Sequence, residues 1–155
     1  MNIYKLYTDG SASTQEEKCG SYCAIIEEYS ACRTFLKNSY MAAGSVFPTS
    51  IGKMELMAVN AGLALIVQNN HGIKSDYSVE IYCDSTYVSD CATGTKKRSA
   101  NLPEWAMFDS IVRGMNVTIQ QAPRNTIKAQ AHCDGVAGEI RKLMEAKVDD
   151  LKYYV

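Results

Sequence analysis

The chemistry this sequence offers is carried by four acids, Asp9, Glu55, Asp84 and Asp134. Each stands where an element is expected to begin or end. Asp9 closes the run Leu6-Tyr7-Thr8 ahead of Gly10-Ser11, and Asp84 follows Val79-Glu80-Ile81-Tyr82-Cys83. Glu55 falls in the first turn of a long helical pattern, and Asp134 starts the last one. Four carboxylates in one place repel and are tolerable only around bound cations, and an all-oxygen donor set selects hard ions such as Mg²⁺ or Mn²⁺ over zinc. Two such ions about 4 Å apart activate a water and stabilise the leaving oxygen of an in-line displacement, which suits phosphodiester hydrolysis without a nucleophilic side chain. Each acid alone also has a plain structural reading: Glu55 as partner of a helix dipole, Asp84 and Asp134 as N-caps, Asp9 as a turn residue. The joint placement is what points to a site.

The elements that would position these acids are read from apolar spacing. Ile3 to Asp9 and Gly20 to Glu28 are expected strands, and Ala31 to Ser39 alternates as a half-exposed partner, so the three form an antiparallel meander. The stretch Ala42 to Ser50, rich in small residues, reads as a loop. In Lys53 to Asn69, Met54, Met57, Ala58, Ala61 and Leu65 lie on one helical face and Leu56, Val59, Leu63 and Ile66 on another, the pattern of a helix buried in the middle of a domain. Ser78 to Cys83 is a strand, and Asp84-Ser85-Thr86 supplies N-cap chemistry for a short helix to Cys91. Thr93 to Asn101 is a basic, polar loop. Pro103 opens a helix to Arg113, Val117 and Ile119 mark a fifth strand, and Pro123 to Gln130 is a loop. Val136, Ile140, Leu143, Met144, Val148 and Leu151 form the stripe of the last helix. Alternation of strand and helix in the second half implies parallel pairing. The fold class is α/β, a five-stranded mixed sheet, antiparallel meander plus parallel strands, flanked by helices.

Composition sets the outer limits. A chain of 155 residues is expected to form one domain over 1–155, and its net charge of −1 gives no global argument for a nucleic-acid or membrane partner, so any basic surface must be local. The six cysteines sit mostly in apolar runs, which suggests a reducing compartment. Cys19 and Cys23, on one extended strand, would stand about 13 Å apart at roughly 3.3 Å per residue, too far for a shared metal or a disulfide. With no signal peptide and no apolar run near 18 residues, the expectation is an intracellular, cytoplasmic, soluble protein without a membrane partner.

Four segments together resemble the type 1 ribonuclease H signature: Tyr7-Thr8-Asp9-Gly10-Ser11, Lys53-Met54-Glu55-Leu56-Met57-Ala58, Tyr82-Cys83-Asp84-Ser85-Thr86-Tyr87-Val88 and Cys133-Asp134. The resemblance spans nearly the whole chain, and Met-Glu-Leu-Met-Ala and Asp-Ser-x-Tyr-Val are its most specific pieces. It implies the ribonuclease H-like fold, with Asp9, Glu55, Asp84 and Asp134 as the catalytic and metal-binding quartet for two Mg²⁺ or Mn²⁺ ions. The implied activity is endonucleolytic cleavage of RNA within an RNA–DNA hybrid. By the same likeness Gly10 and Ser11 form the turn whose backbone approaches the RNA, and Ser50 and Asn101 belong to a pocket for a phosphate of the DNA strand. Trp105 matches the tryptophan of the following helix, with core packing as its other reading.

Three departures accompany the likeness. Ile51-Gly52 stand where the family often has two asparagines that read the 2′-hydroxyl and base edges. Lys96-Lys97-Arg98, in a short loop, replaces a long basic helix-loop and reads either as a phosphate contact or as a solvated turn. Arg124 stands where many members have a loop histidine. A permanent cation there can contact the scissile phosphate but cannot shuttle a proton, and His132 lies only two residues before Asp134. The competing class is a non-catalytic hybrid or double-stranded RNA binding module on the same fold, and four mutually repelling carboxylates argue against it. A proofreading-type exonuclease needs Asp-x-Glu where Ser11 stands. The chain is expected to act alone, as a monomer, rather than as a piece of a polymerase polyprotein.

Overall fold

The computed structural model describes residues 1–13, 19–32, 35–122 and 127–152. In chain order these form β1 (Asn2–Ala12), β2 (Gly20–Tyr29), β3 (Leu36–Val46), α1 (Ile51–Asn69), β4 (Tyr77–Cys83), α2 (Thr86–Thr93), α3 (Leu102–Val112), β5 (Asn116–Gln121) and α4 (Lys128–Lys152). The sheet has the order β3-β2-β1-β4-β5. β1, β2 and β3 pair antiparallel, and β4 lies parallel to both β1 and β5. The mixed sheet expected from the sequence is the one observed.

Alternation in β1 sorts its side chains between two layers. Tyr4 and Leu6 enter the main core with Leu56, Val59, Leu63 and Ile66 of α1, Val79 and Ile81 of β4, and Trp105 and Phe108 of α3. Tyr7 points the other way and joins Cys23, Ile25, Cys133 and Ala137 beneath α4. A helix packed both on the sheet and against α3 needs two apolar faces, which is why α1 looks as it does in sequence. By length and composition α1 would also suffice to span a bilayer, contrary to the expectation that no apolar run comes near 18 residues. Here Met54, Leu56, Val59, Leu63 and Ile66 are instead buried against the sheet.

The largest departures from the expected element boundaries are at β3 and at the start of α4. The third strand runs from Leu36 to Val46, so the expected Ala31–Ser39 strand is displaced towards the C-terminus and most of the expected Ala42–Ser50 loop is strand. The small residues there answer a packing demand, since Gly44 pairs with Tyr22 and a Cβ on Gly44 would lie 2.5 Å from the Tyr22 hydroxyl. The last helix starts at Lys128, inside the expected Pro123–Gln130 loop, and Asp134 is therefore well inside it rather than at its start.

Candidate active site

β4 fixes the geometry. Its parallel register with β1 ends at Thr8 opposite Cys83, and the next residue on each chain is an acid, Asp9 and Asp84. Two residues earlier in the register Tyr7 and Tyr82 stack at 5.3 Å, which marks the face both acids share, the one covered by α4. Asp134 comes down from α4 on this side, and its carboxyl is hydrogen-bonded to that of Asp9. Asp9 is 6% exposed, Asp84 is half-buried and Asp134 is open to solvent, so the cluster has a buried floor and an open rim.

Electrostatics records this crowding. Burial, the hydrogen bond that the protonated Asp9 donates to Asp134 and the negative charges of Asp84 and Asp134 push the Asp9 carboxyl from its ordinary 3.8 to about 8, against the opposing pull of the Gly10 N–H, 2.9 Å from Oδ1. Carboxylates this close share a proton unless a cation compensates them.

Glu55 arrives from α1. Backbone meets backbone there: a Cβ on Gly10 would stand 2.5 Å from the Glu55 nitrogen and 2.7 Å from the Met54 carbonyl carbon. Glycine at position 10 is therefore required by the seat of α1, whatever approaches from outside. Glu55 Oε2 accepts a 2.7 Å hydrogen bond from Ser85 Oγ, and Ser85 Oγ in turn accepts from the Val88 N–H at 3.2 Å as N-cap of α2. Sequence reasoning gave Ser85 only a capping role; the structure adds that of holding Glu55. In this conformation no three His, Cys, Asp or Glu side chains among the described residues close into a finished metal cage. The donor set is nonetheless all oxygen and strongly anionic, which fits a hard divalent cation.

The plain structural readings of the acids do not hold in the structure. α1 begins at Ile51 with no acid in its first turn, so Glu55 does not serve the helix dipole. Ser85, not Asp84, caps α2, and α4 also has no acid in its first turn. β1 continues past Asp9 to Ala12, so Asp9 is not a turn residue.

The expected substrate residues are placed unevenly. Ser11 pairs with Ser21 near the end of β1. Ser50 is the N-cap of α1, its Oγ accepting from the Lys53 N–H at 3.4 Å, and Ile51 and Gly52 form the first turn with their amides unclaimed by the helix. Asn101 joins this end of α1, its Nδ2 lying 3.7 Å from where a Gly52 Cβ would be. Arg124 lies outside the described residues. His132 is exposed on α4 two residues before Asp134, and at about 100° per residue the two side chains leave the helix on nearly opposite sides. In the basic loop, Lys96 pairs with Asp90 at 3.3 Å and Arg98 with Asp109 at 2.7 Å. The Arg98 guanidinium also lies 4.3 Å from the centre of the buried Trp105 ring, so this residue braces α3 and Trp105 is core.

The acids thus gather at the paired ends of β1 and β4, with Glu55 brought up by α1 and Asp134 by α4. The RNase H family model matches residues 1–145, and the chain belongs to this family of hydrolases. A ribonuclease H of Ehrlichia canis is 30% identical over 131 residues, covering 76% of this chain and 80% of the relative. Among solved structures, the N-terminal RNase H domain of a Mycobacterium tuberculosis protein superposes with a TM-score of 0.78 at 13% identity, covering 96% of this chain and 99% of that one. A compost-derived RNase H1 solved in complex with an RNA/DNA hybrid gives 0.70 at 16% identity, with 91% and 98% covered. The prototype foamy virus protease-reverse transcriptase gives 0.68 at 17% identity, with 91% of this chain but 21% of that one covered.

Proposed function

We propose that this protein is a metal-dependent endonuclease that cuts the RNA strand of RNA–DNA hybrids, with Asp9, Glu55, Asp84 and Asp134 holding two Mg²⁺ or Mn²⁺ ions. The observation that carries this reading is the crowding of Asp9 against Asp84 and Asp134, with Glu55 tied in through Ser85, where none of the acids serves a cap or a turn. The ions, when bound, supply an activated water and charge stabilisation at the leaving oxygen. The chain's own part is to fix the carboxylates: Asp9 and Asp84 on adjacent strands, Glu55 through Ser85, and Asp134 on α4. On the substrate side, the amides at the start of α1 with Ser50 and Asn101 receive a DNA-strand phosphate, Gly10 and Ser11 lie along the RNA, and Arg124 is, by its sequence position alone, the candidate cation for the scissile phosphate. The hybrid complex of the compost-derived RNase H1 supports this choice of substrate.

The direct test is cleavage of an end-labelled RNA–DNA hybrid beside single-stranded and double-stranded RNA, with Mg²⁺, with Mn²⁺ and with chelator. Internal cuts in the hybrid alone, lost with chelator, are expected. Equal cleavage of double-stranded RNA would remove the hybrid specificity, and cleavage in chelator would remove the metal.

A further inference from the structure

Asn101 occupies the N-cap of α3 yet makes no side-chain cap hydrogen bond, although asparagine is among the best capping residues. Its backbone sits in the left-handed region at φ 55°, which asparagine tolerates better than most residues. The carboxamide is turned instead to Tyr87, with Nδ2 donating to the phenol oxygen at 3.0 Å. The same oxygen accepts from the Trp105 indole N–H at 3.1 Å and donates to the Ala100 carbonyl at 3.3 Å. A phenol hydroxyl has one proton and two acceptor positions, so the Tyr87 hydroxyl is fully committed. The committed proton and acceptor positions leave the Asn101 carboxamide one orientation, with one N–H on Tyr87 and the second without a partner among the described residues. Trp105 is buried in the core, so the anchor behind Tyr87 is rigid, and the Tyr87 ring also flanks Gly52, 3.2 Å from where its Cβ would be.

We infer that Tyr87 is a positioning residue for substrate binding: its hydroxyl, fixed by Trp105 and Ala100, holds the Asn101 carboxamide beside the first turn of α1 for a phosphate of the DNA strand. This rests on the reading of Ser50 and Asn101 as that phosphate pocket. It explains why a good cap is diverted from its own helix, and it gives a substrate role to a tyrosine that the sequence placed only within the Asp-Ser-x-Tyr-Val segment.

The test compares Tyr87→Phe, Asn101→Ala and the double variant in steady-state hybrid cleavage. Each single change is expected to raise KM about fivefold, the size of one net hydrogen bond, with kcat changed less than twofold and the double variant no worse than Asn101→Ala. A purely structural tyrosine would lower thermal stability without this KM-only effect. If Asn101→Ala raises KM and Tyr87→Phe does not, the inference about Tyr87 is overturned while the pocket stands. If Asn101→Ala leaves KM unchanged, the pocket reading falls and the inference with it. A second readout needs no change at Tyr87, because Trp105 is the only tryptophan. Its emission is expected to shift when the wild-type protein is saturated with an uncleavable 2′-O-methyl RNA–DNA hybrid, and not to shift in Asn101→Ala at saturation. An identical shift in both proteins would mean that no link runs through Tyr87.

Discussion

The two faces of the sheet hold their helices by different physics. On the α1 face, Leu6, Ile26, Val79 and Ile81 meet Leu56, Val59, Leu63 and Ile66 in a large, almost wholly apolar cluster. On the α4 face the apolar cluster among the described residues is small, and the helix is pinned by polar contacts from one stripe. Gln130 Nε2 donates to the Thr8 carbonyl, Cys133 Sγ to the Tyr7 carbonyl at 3.3 Å, and Ser21 Oγ donates to the Ala137 carbonyl. Apolar burial is strong but non-directional, whereas a few hydrogen bonds fix rotation and height. The α1 face therefore supplies stability, and the α4 face supplies the placement of Asp134 opposite Asp9.

If that contrast holds, substitutions on the two faces should separate stability from activity. Leu63→Ala, at a fully buried position, is expected to cost about 3 kcal/mol in urea unfolding while leaving kcat nearly intact below the unfolding transition. Gln130→Ala should cost only about 1 kcal/mol, yet lower kcat roughly tenfold by loosening Asp134. A Gln130→Ala enzyme as active as the Leu63→Ala enzyme would erase the distinction.

A further expected effect concerns Asp9 and pH. Its carboxyl is raised from 3.8 to about 8, so between those values the folded protein keeps a proton that the unfolded chain has lost. Stability of the metal-free protein thus falls as pH rises from about 4 to about 8. Asp9→Asn removes this penalty and should be the more stable protein at pH 8, with the gap closing towards pH 4. Thermal unfolding in chelator at the two pH values checks it; a variant less stable than wild type at pH 8 would mean that Asp9 is not crowded.

The sequence made some of this legible and not the rest, for physical reasons. β1, β2, α1 and β4 were readable because burial imposes clean periods on Leu6, Ile26, Leu63 and Ile81, and Asp9 and Asp84 stood out because they follow the apolar runs of β1 and β4, whereas Glu55 and Asp134 lie inside α1 and α4 rather than at the starts expected for them. β3 was misplaced because an edge strand is largely exposed and Tyr22 keeps Gly44 small, leaving little apolar alternation. The start of α4 was missed because Gln130 faces the sheet through a hydrogen bond, which a pattern of apolar residues does not register. The same limit hid the link from Ser85 to Glu55 and the one from Tyr87 to Asn101, since hydrogen bonds across 30 and 14 residues have no period.

The central claim is that the carboxylates at the ends of β1 and β4 hold the metal that cleaves the hybrid. Asp84→Asn tests it most directly, because amide for acid preserves shape and removes one charge. Hybrid cleavage in saturating Mg²⁺ is expected to fall roughly a hundredfold or more, with the thermal transition retained. Wild-type activity from Asp84→Asn under the same conditions would contradict the account.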